Sequence, residues 1–182
     1  MSAIRSCELP PDAFLTRYVA SGAFADCYVT EVAGSASQAE FVEAFYTTLL
    51  FKLERFVLSA AASRPSTDAQ ARQLARGEVS TFAAWAVEDR AADQLLLSDF
   101  TGRTRSWLKI AATSDTSTRL YFGSAVIPVK NRETDQPSLG PTFGALLGFH
   151  KAYSRALLYS ARLRLSRSIS VRDQIRPGDG QR

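Results

Sequence analysis

Residues 141–165, PTFGALLGFHKAYSRALLYSARLRL, decide how the rest of the chain is read. Phe143, Leu146, Leu147, His150, Tyr153, Leu157, Ala161 and Leu165 recur there at helical spacing, so one face of a long helix is apolar and needs a partner. The partner lies just upstream. Between 81 and 129 four runs alternate apolar and polar residues with period two, the pattern of antiparallel strands buried on one face. The expected architecture is α+β, with one long helix laid across an antiparallel sheet.

Composition sets the frame for that body. With 182 residues, 46% hydrophobic and 22% charged, the chain reads as one globular domain able to bury a sizeable core. A net charge of +4 is modest. The two cysteines, Cys7 and Cys27, do not make a disulfide framework, which suits a reducing compartment. The opening MSAIRSCELPPDAF carries charge and a Pro10–Pro11 pair where a signal peptide needs an apolar run, so a cytoplasmic location is expected. No membrane span is expected: the most apolar region, 41–62, is interrupted by Glu43, Lys52, Glu54 and Arg55.

In chain order, 1–23 reads as an N-terminal arm with a short extended piece at 14–19, and 24–32 as the first strand, closed by Gly34. Ser37 with Glu40 forms a capping box for a helix whose apolar period runs from 38 to about 62, with a break at Thr47–Thr48. Thr67 or Asp68 caps another helix that ends before Gly77. Strands follow at 81–89, 94–100, 103–112 and 118–129 as a meander.

Pairing these strands through their short turns puts Ala83, Trp85, Val87, Leu95, Leu97, Asp99, Ser106, Leu108, Ile110, Leu120, Phe122, Ser124 and Val126 on one face. Arg105, Lys109, Arg119 and Tyr121 take the other, with Trp107 covering Gly123. A polar loop at 131–141 is expected to rim the sheet, and 167–182 reads as a disordered basic tail beyond a domain of residues 24–166.

This order resembles the START-like, polyketide-cyclase-like (SRPBCC) "helix-grip" superfamily, and GRTRSWL at 102–108 and TRLYFGSAV at 118–126 look like those of a bacterial family of unknown function within it. The resemblance covers residues 24–166. It implies a curved antiparallel sheet gripping the C-terminal helix, with two shorter helices after the first strand, and an apolar molecule held between sheet and helix. Some members of the superfamily are cyclases or hydrolases, and fold alone does not choose among these activities. Five strands are counted here, where the superfamily usually has six or seven.

Few residues suggest chemistry. His150, the single histidine, sits on the apolar stripe, either as a polar handle or general base or as a core histidine satisfied by a neighbour. Asp99 borders a pocket mouth or bonds its own hairpin turn. Ser124 and His150 lack the Gly-x-Ser-x-Gly elbow of a nucleophile. Neither a histidine metal cluster nor a phosphate-cradling loop is present in the sequence, so no cofactor or metal is expected. The late arginines, Arg155 and Arg162 among them, read as the wet side and C-terminal end of a helix rather than a nucleic-acid surface.

The leading expectation is a pocket protein binding a small, largely apolar molecule, with Trp85, Leu97, Leu108, Phe122 and Leu147 as walls and Asp99, Ser124 and His150 as polar contacts. One alternative is a small cyclase- or hydrolase-like enzyme using His150 and Asp99. The other is an interaction module whose interior is filled by its own side chains.

Overall fold

The computed structural model describes residues 3–53, 66–114, 116–130, 137–138 and 143–175, the side chains of 129–130, 137–138 and 143–149 excepted. The expected loop at 131–141, apart from its residues 137–138, and the expected helical residues 54–62 lie outside this set, as does 176–182.

Seven strands form one curved antiparallel sheet in the order β1-β2-β7-β6-β5-β4-β3. They are β1 (Arg5–Ser6), β2 (Phe24–Ala33), β3 (Thr81–Phe82), β4 (Trp85–Arg90), β5 (Gln94–Asp99), β6 (Thr104–Ser114) and β7 (Ser117–Val126). The helices are α1 (Thr16–Ala20), α2 (Gln38–Tyr46), α3 (Asp68–Arg76) and α4 (Phe143–Ile175). Residues 49–53 are also helical, separated from α2 at Thr47–Thr48 as the sequence suggests. The expected Ser37–Glu40 capping box forms; of the two candidates Thr67 is the cap of α3, where Gln70 completes a second box, and Gly77 closes α3 in the left-handed conformation.

The meander adopts the expected register, with Leu97 opposite Ser106, Leu95 opposite Leu108, Ser106 opposite Ser124 and Leu108 opposite Phe122. Two strands beyond the expected five appear. Ala83 has a left-handed φ of 52°, which divides the run at 81–89 into β3 and β4. Arg5–Ser6 add the short edge strand β1 beside Tyr28 and Val29.

On the concave face the core is dense with rings. Phe41, Phe45 and Tyr46 from α2 meet Phe51, Phe82 and Phe122, with Phe45 and Phe122 centroids 4.8 Å apart. Residues 166–175 are not a loose tail. Helix α4 continues to Ile175 because Leu157, Ala161, Leu165 and Ile169 keep one buried row. Arg162 likewise departs from expectation: it is buried, with its guanidinium over the Tyr159 ring.

The convex face is covered too. Residues of the arm pack Ala13 and Leu15 against Leu96, Trp107 and Ala125, a second core that the charged side chains had concealed. Gln94 fastens the arm: its Oε1 accepts from Trp107 Nε1 and Phe14 N, and its Nε2 donates to the Asp12 carbonyl. The buried Lys109 ammonium joins Asp12 and Asp93. The piece expected to be extended at 14–19 is largely the short helix α1.

Candidate functional site

Strand pairing creates the site. Side chains of directly opposite residues share a face, so the pairs Asp26–Ser124 and Ser124–Ser106 make one polar row across β2, β7 and β6. The next row inward, Tyr28, Phe122, Leu108 and Leu95, is apolar apart from the Tyr28 hydroxyl. Helix α4 passes over the polar row and sets His150 against it.

Ser124 Oγ stands 2.7 Å from His150 Nε2 and donates to Asp26 Oδ1, also at 2.7 Å. The Ser124 backbone N–H reaches the same carboxylate oxygen at 3.3 Å, and Tyr28 Oη donates to Asp26 Oδ2 at 3.3 Å. His150 Nε2 is 3.5 Å from Asp26 Oδ2. The Asp26 side chain is 7% exposed and that of His150 is 32% exposed.

Burial pushes the Asp26 carboxyl up, but the nearby His150 ring and the hydrogen bonds from Ser124 and Tyr28 outweigh it and hold Asp26 below its ordinary value. Tyr28 is pushed up to about 12 by burial and by the Asp26 charge, so it remains a donor.

Proton bookkeeping defines what the cluster can do. A serine hydroxyl has one proton, and Ser124 gives it to Asp26. His150 Nε2 must then carry hydrogen to satisfy the 2.7 Å contact, an assignment made from the network. His150 therefore donates to Ser124 rather than activating it, and Asp26 lies beside the same ring nitrogen instead of orienting the ring from Nδ1. A nucleophilic triad has the opposite arrangement. Nδ1 has no protein partner among the described residues, so it offers an acceptor backed by a carboxylate.

Next to this cluster a cleft of about 560 Å³ runs along the β2 edge, where β1 is too short to cover it. Leu9, Val19, Phe24 and Ala25 supply apolar wall, Asp26 and Tyr28 polar floor, and Lys151 and Arg155 cations from α4.

Of the residues singled out in the sequence, Ser124 and His150 come together. Asp99 does not join them; it accepts from Thr101 Oγ1 and Thr104 N within the β5–β6 turn, the local alternative considered for it. Ser106 bonds Tyr46 Oη. Leu97, Leu108 and Phe122 are packed core. Trp85 packs against this core with a buried Nε1 that has no partner among the described residues. Leu147 lies on α4 where side chains are not described.

Asp26, Tyr28, Lys151 and Arg155 were missed by sequence reasoning. The period-two pattern of β2 could have placed Asp26 and Tyr28 on one face, but only the long-range pairing with β7 shows which face it is.

Among the described residues no group of three His, Cys, Asp or Glu side chains is placed to hold a metal ion, and no helix is long and apolar enough to cross a membrane. Comparison with family models, curated proteins and solved structures finds no match for this chain.

Proposed function

We propose that the protein binds a small, largely apolar molecule in the cleft between the β2 edge and α4, with the Asp26–Ser124–His150 cluster at its polar end. The observation carrying this reading is a buried carboxylate, hydrogen-bonded by Ser124 and Tyr28 and held below its ordinary pKa, at a cleft where the apolar Leu9, Val19, Phe24 and Ala25 stand beside the cations Lys151 and Arg155. Such a mixture of apolar wall and a few fixed polar groups suits small-molecule recognition. The resemblance to the START-like superfamily points the same way, although the site moves from the middle of the sheet-helix interior to its edge.

Binding of an apolar fluorescent probe, an anilinonaphthalene sulfonate, tests the reading. Val19 lines the cleft and is 48% exposed, so Val19→Trp obstructs the cleft without disturbing the core. Val171, on a separate groove of α4, provides the control. Probe binding weakened at least about tenfold by Val19→Trp and unchanged by Val171→Trp supports the cleft; the reverse pattern, or no binding, refutes it.

A second reading, acid–base catalysis of the cyclase or hydrolase kind, draws on the unpartnered Nδ1 of His150. Asp26 replaces Asp99 as the carboxylate partner in that scheme. With Nε2 facing Ser124 and Asp26, Nδ1 is the ring nitrogen left to accept a proton from a substrate, the contact a general base requires.

A further inference from the structure

We propose that Cys7 and Cys27 form a reversible dithiol–disulfide site at the wall of the cleft, closed by a small-molecule disulfide and reopened by thiols. The proposal is independent of the ligand reading.

The Cys7 backbone N–H donates to the Cys27 carbonyl at 3.0 Å, continuing the β1–β2 ladder past Ser6 and Tyr28, so the two cysteines stand opposite one another. Opposite residues of an antiparallel pair have Cα atoms about 4.5–5.5 Å apart, inside the range a disulfide spans. Their side chains already meet, with Sγ atoms 3.1 Å apart and both thiols free. Closure therefore asks for rotation of side chains and no movement of strands.

The two thiols are unequal in the way an attacking and a resolving cysteine must be. Both cysteines line the cleft, but Cys7 is half-buried whereas Cys27 is buried, so a dissolved oxidant reaches Cys7 first. The close sulfur–sulfur contact with Cys27 holds Cys7 below its ordinary pKa against the effect of burial, helped by the charges of Arg5 and Arg119. That same contact, together with burial, pushes Cys27 up. Cys7 thus supplies the thiolate.

The chemistry balances. The Cys7 thiolate attacks one sulfur of the disulfide RSSR, forming Cys7–S–S–R and releasing RS⁻, which takes up a proton. Cys27 then gives up its proton and attacks the Cys7 sulfur, expelling the second RS⁻, which is protonated in turn. The two protein thiols are oxidised to one disulfide, and RSSR is reduced to two RSH.

The full chain, equilibrated in mixtures of oxidised and reduced glutathione, acid-quenched, unfolded and alkylated, reports the state of its only two cysteines by intact mass. The expected product is a monomer lacking two hydrogens, unreactive to the alkylating agent and restored by dithiothreitol. It should form at an oxidised-to-reduced ratio at least about tenfold lower than the urea-unfolded chain requires, because folding holds the thiols at high effective concentration. Cys27→Ser should accumulate one glutathione adduct on Cys7, whereas Cys7→Ser should resist modification. Persistent free thiols in the wild type, a stable adduct without loop closure, disulfide-linked dimers, or equal modification of both single variants would overturn the proposal.

Discussion

The Ser124 hydroxyl and the His150 imidazole, 2.7 Å apart, join the interior strand β7 to helix α4 at the point where the polar row of the sheet meets the solvent. Because the Ser124 hydroxyl donates a hydrogen bond to Asp26 while meeting His150, three elements are fastened through one hydroxyl. Stability and the proposed recognition are consequently tied to the same atoms.

Asp26 should give the protein a measurable acid limb. Its folded pKa is below that of the unfolded chain, so its contribution is complete above the unfolded value of about 3.9 and is lost as pH falls through the folded one. Urea unfolding of Asp26→Asn near neutral pH should show a loss of about 1–3 kcal/mol, and a shallower decline below pH ~4 than the wild type. Parallel pH curves for the two proteins would contradict this account of Asp26.

Ser124→Leu should be poorly tolerated. Were Ser124 at the wall of an empty cavity, added methyl groups would fill space; instead Ser124 is buried and bonds both Asp26 and His150. Overpacking alone is expected to cost about 1–3 kcal/mol, with the stranded Asp26 adding to it. Ser124→Ala, which keeps only the second effect, should fall between this variant and the wild type in chemical denaturation.

The helix end should be structural. Ile169 is 4% exposed and packs where a Cβ at Gly34 would come within 2.6 Å of its Cγ2, while Arg172 bonds Glu40 and the Ser35 carbonyl. Ile169→Ala should cost about 2–5 kcal/mol, and truncation after Ser168 at least as much. Melting curves that coincide with the wild type would show the tail to be dispensable, as the thinning apolar content after Leu165 suggests from sequence alone.

Gly123→Ala should loosen the N-terminal arm. An added Cβ would stand 2.8 Å from Leu15 Cδ1 and 3.0 Å from both Trp107 Cε3 and the Asp26 carbonyl, so the contacts that seat the arm must shift. Faster proteolysis within 3–23 than in the wild type is the expected outcome, and unchanged cleavage would show that the arm docks by other means.

What was legible in the sequence follows from how local the signals are. The meander's alternation and its short turns determine which residues share a face, so Leu97, Ser106 and Ser124 fall in one row as expected. Capping boxes at Ser37 and Thr67 are equally local. The partner of Ser124 is not local: Asp26 lies nearly a hundred residues away, and its role exists only once β2 pairs with β7. The ring cluster from α2 was visible as a periodic stripe, but periodicity does not tell packed core from cavity wall, and Leu108 and Phe122 prove to be core. The arm escaped notice because Lys109 and Arg105 mark the convex face as wet, whereas Lys109 is buried against Asp12 and Asp93.

Backbone amide shift mapping during titration with the fluorescent probe bears most directly on the proposed function, since it locates binding without any substitution. The account predicts shifts concentrated at Ala25, Tyr28, Ser124, His150 and Lys151, around the cleft and its polar end. Shifts confined to the separate groove around Val171 and Ile175, or none at saturating probe, would contradict it.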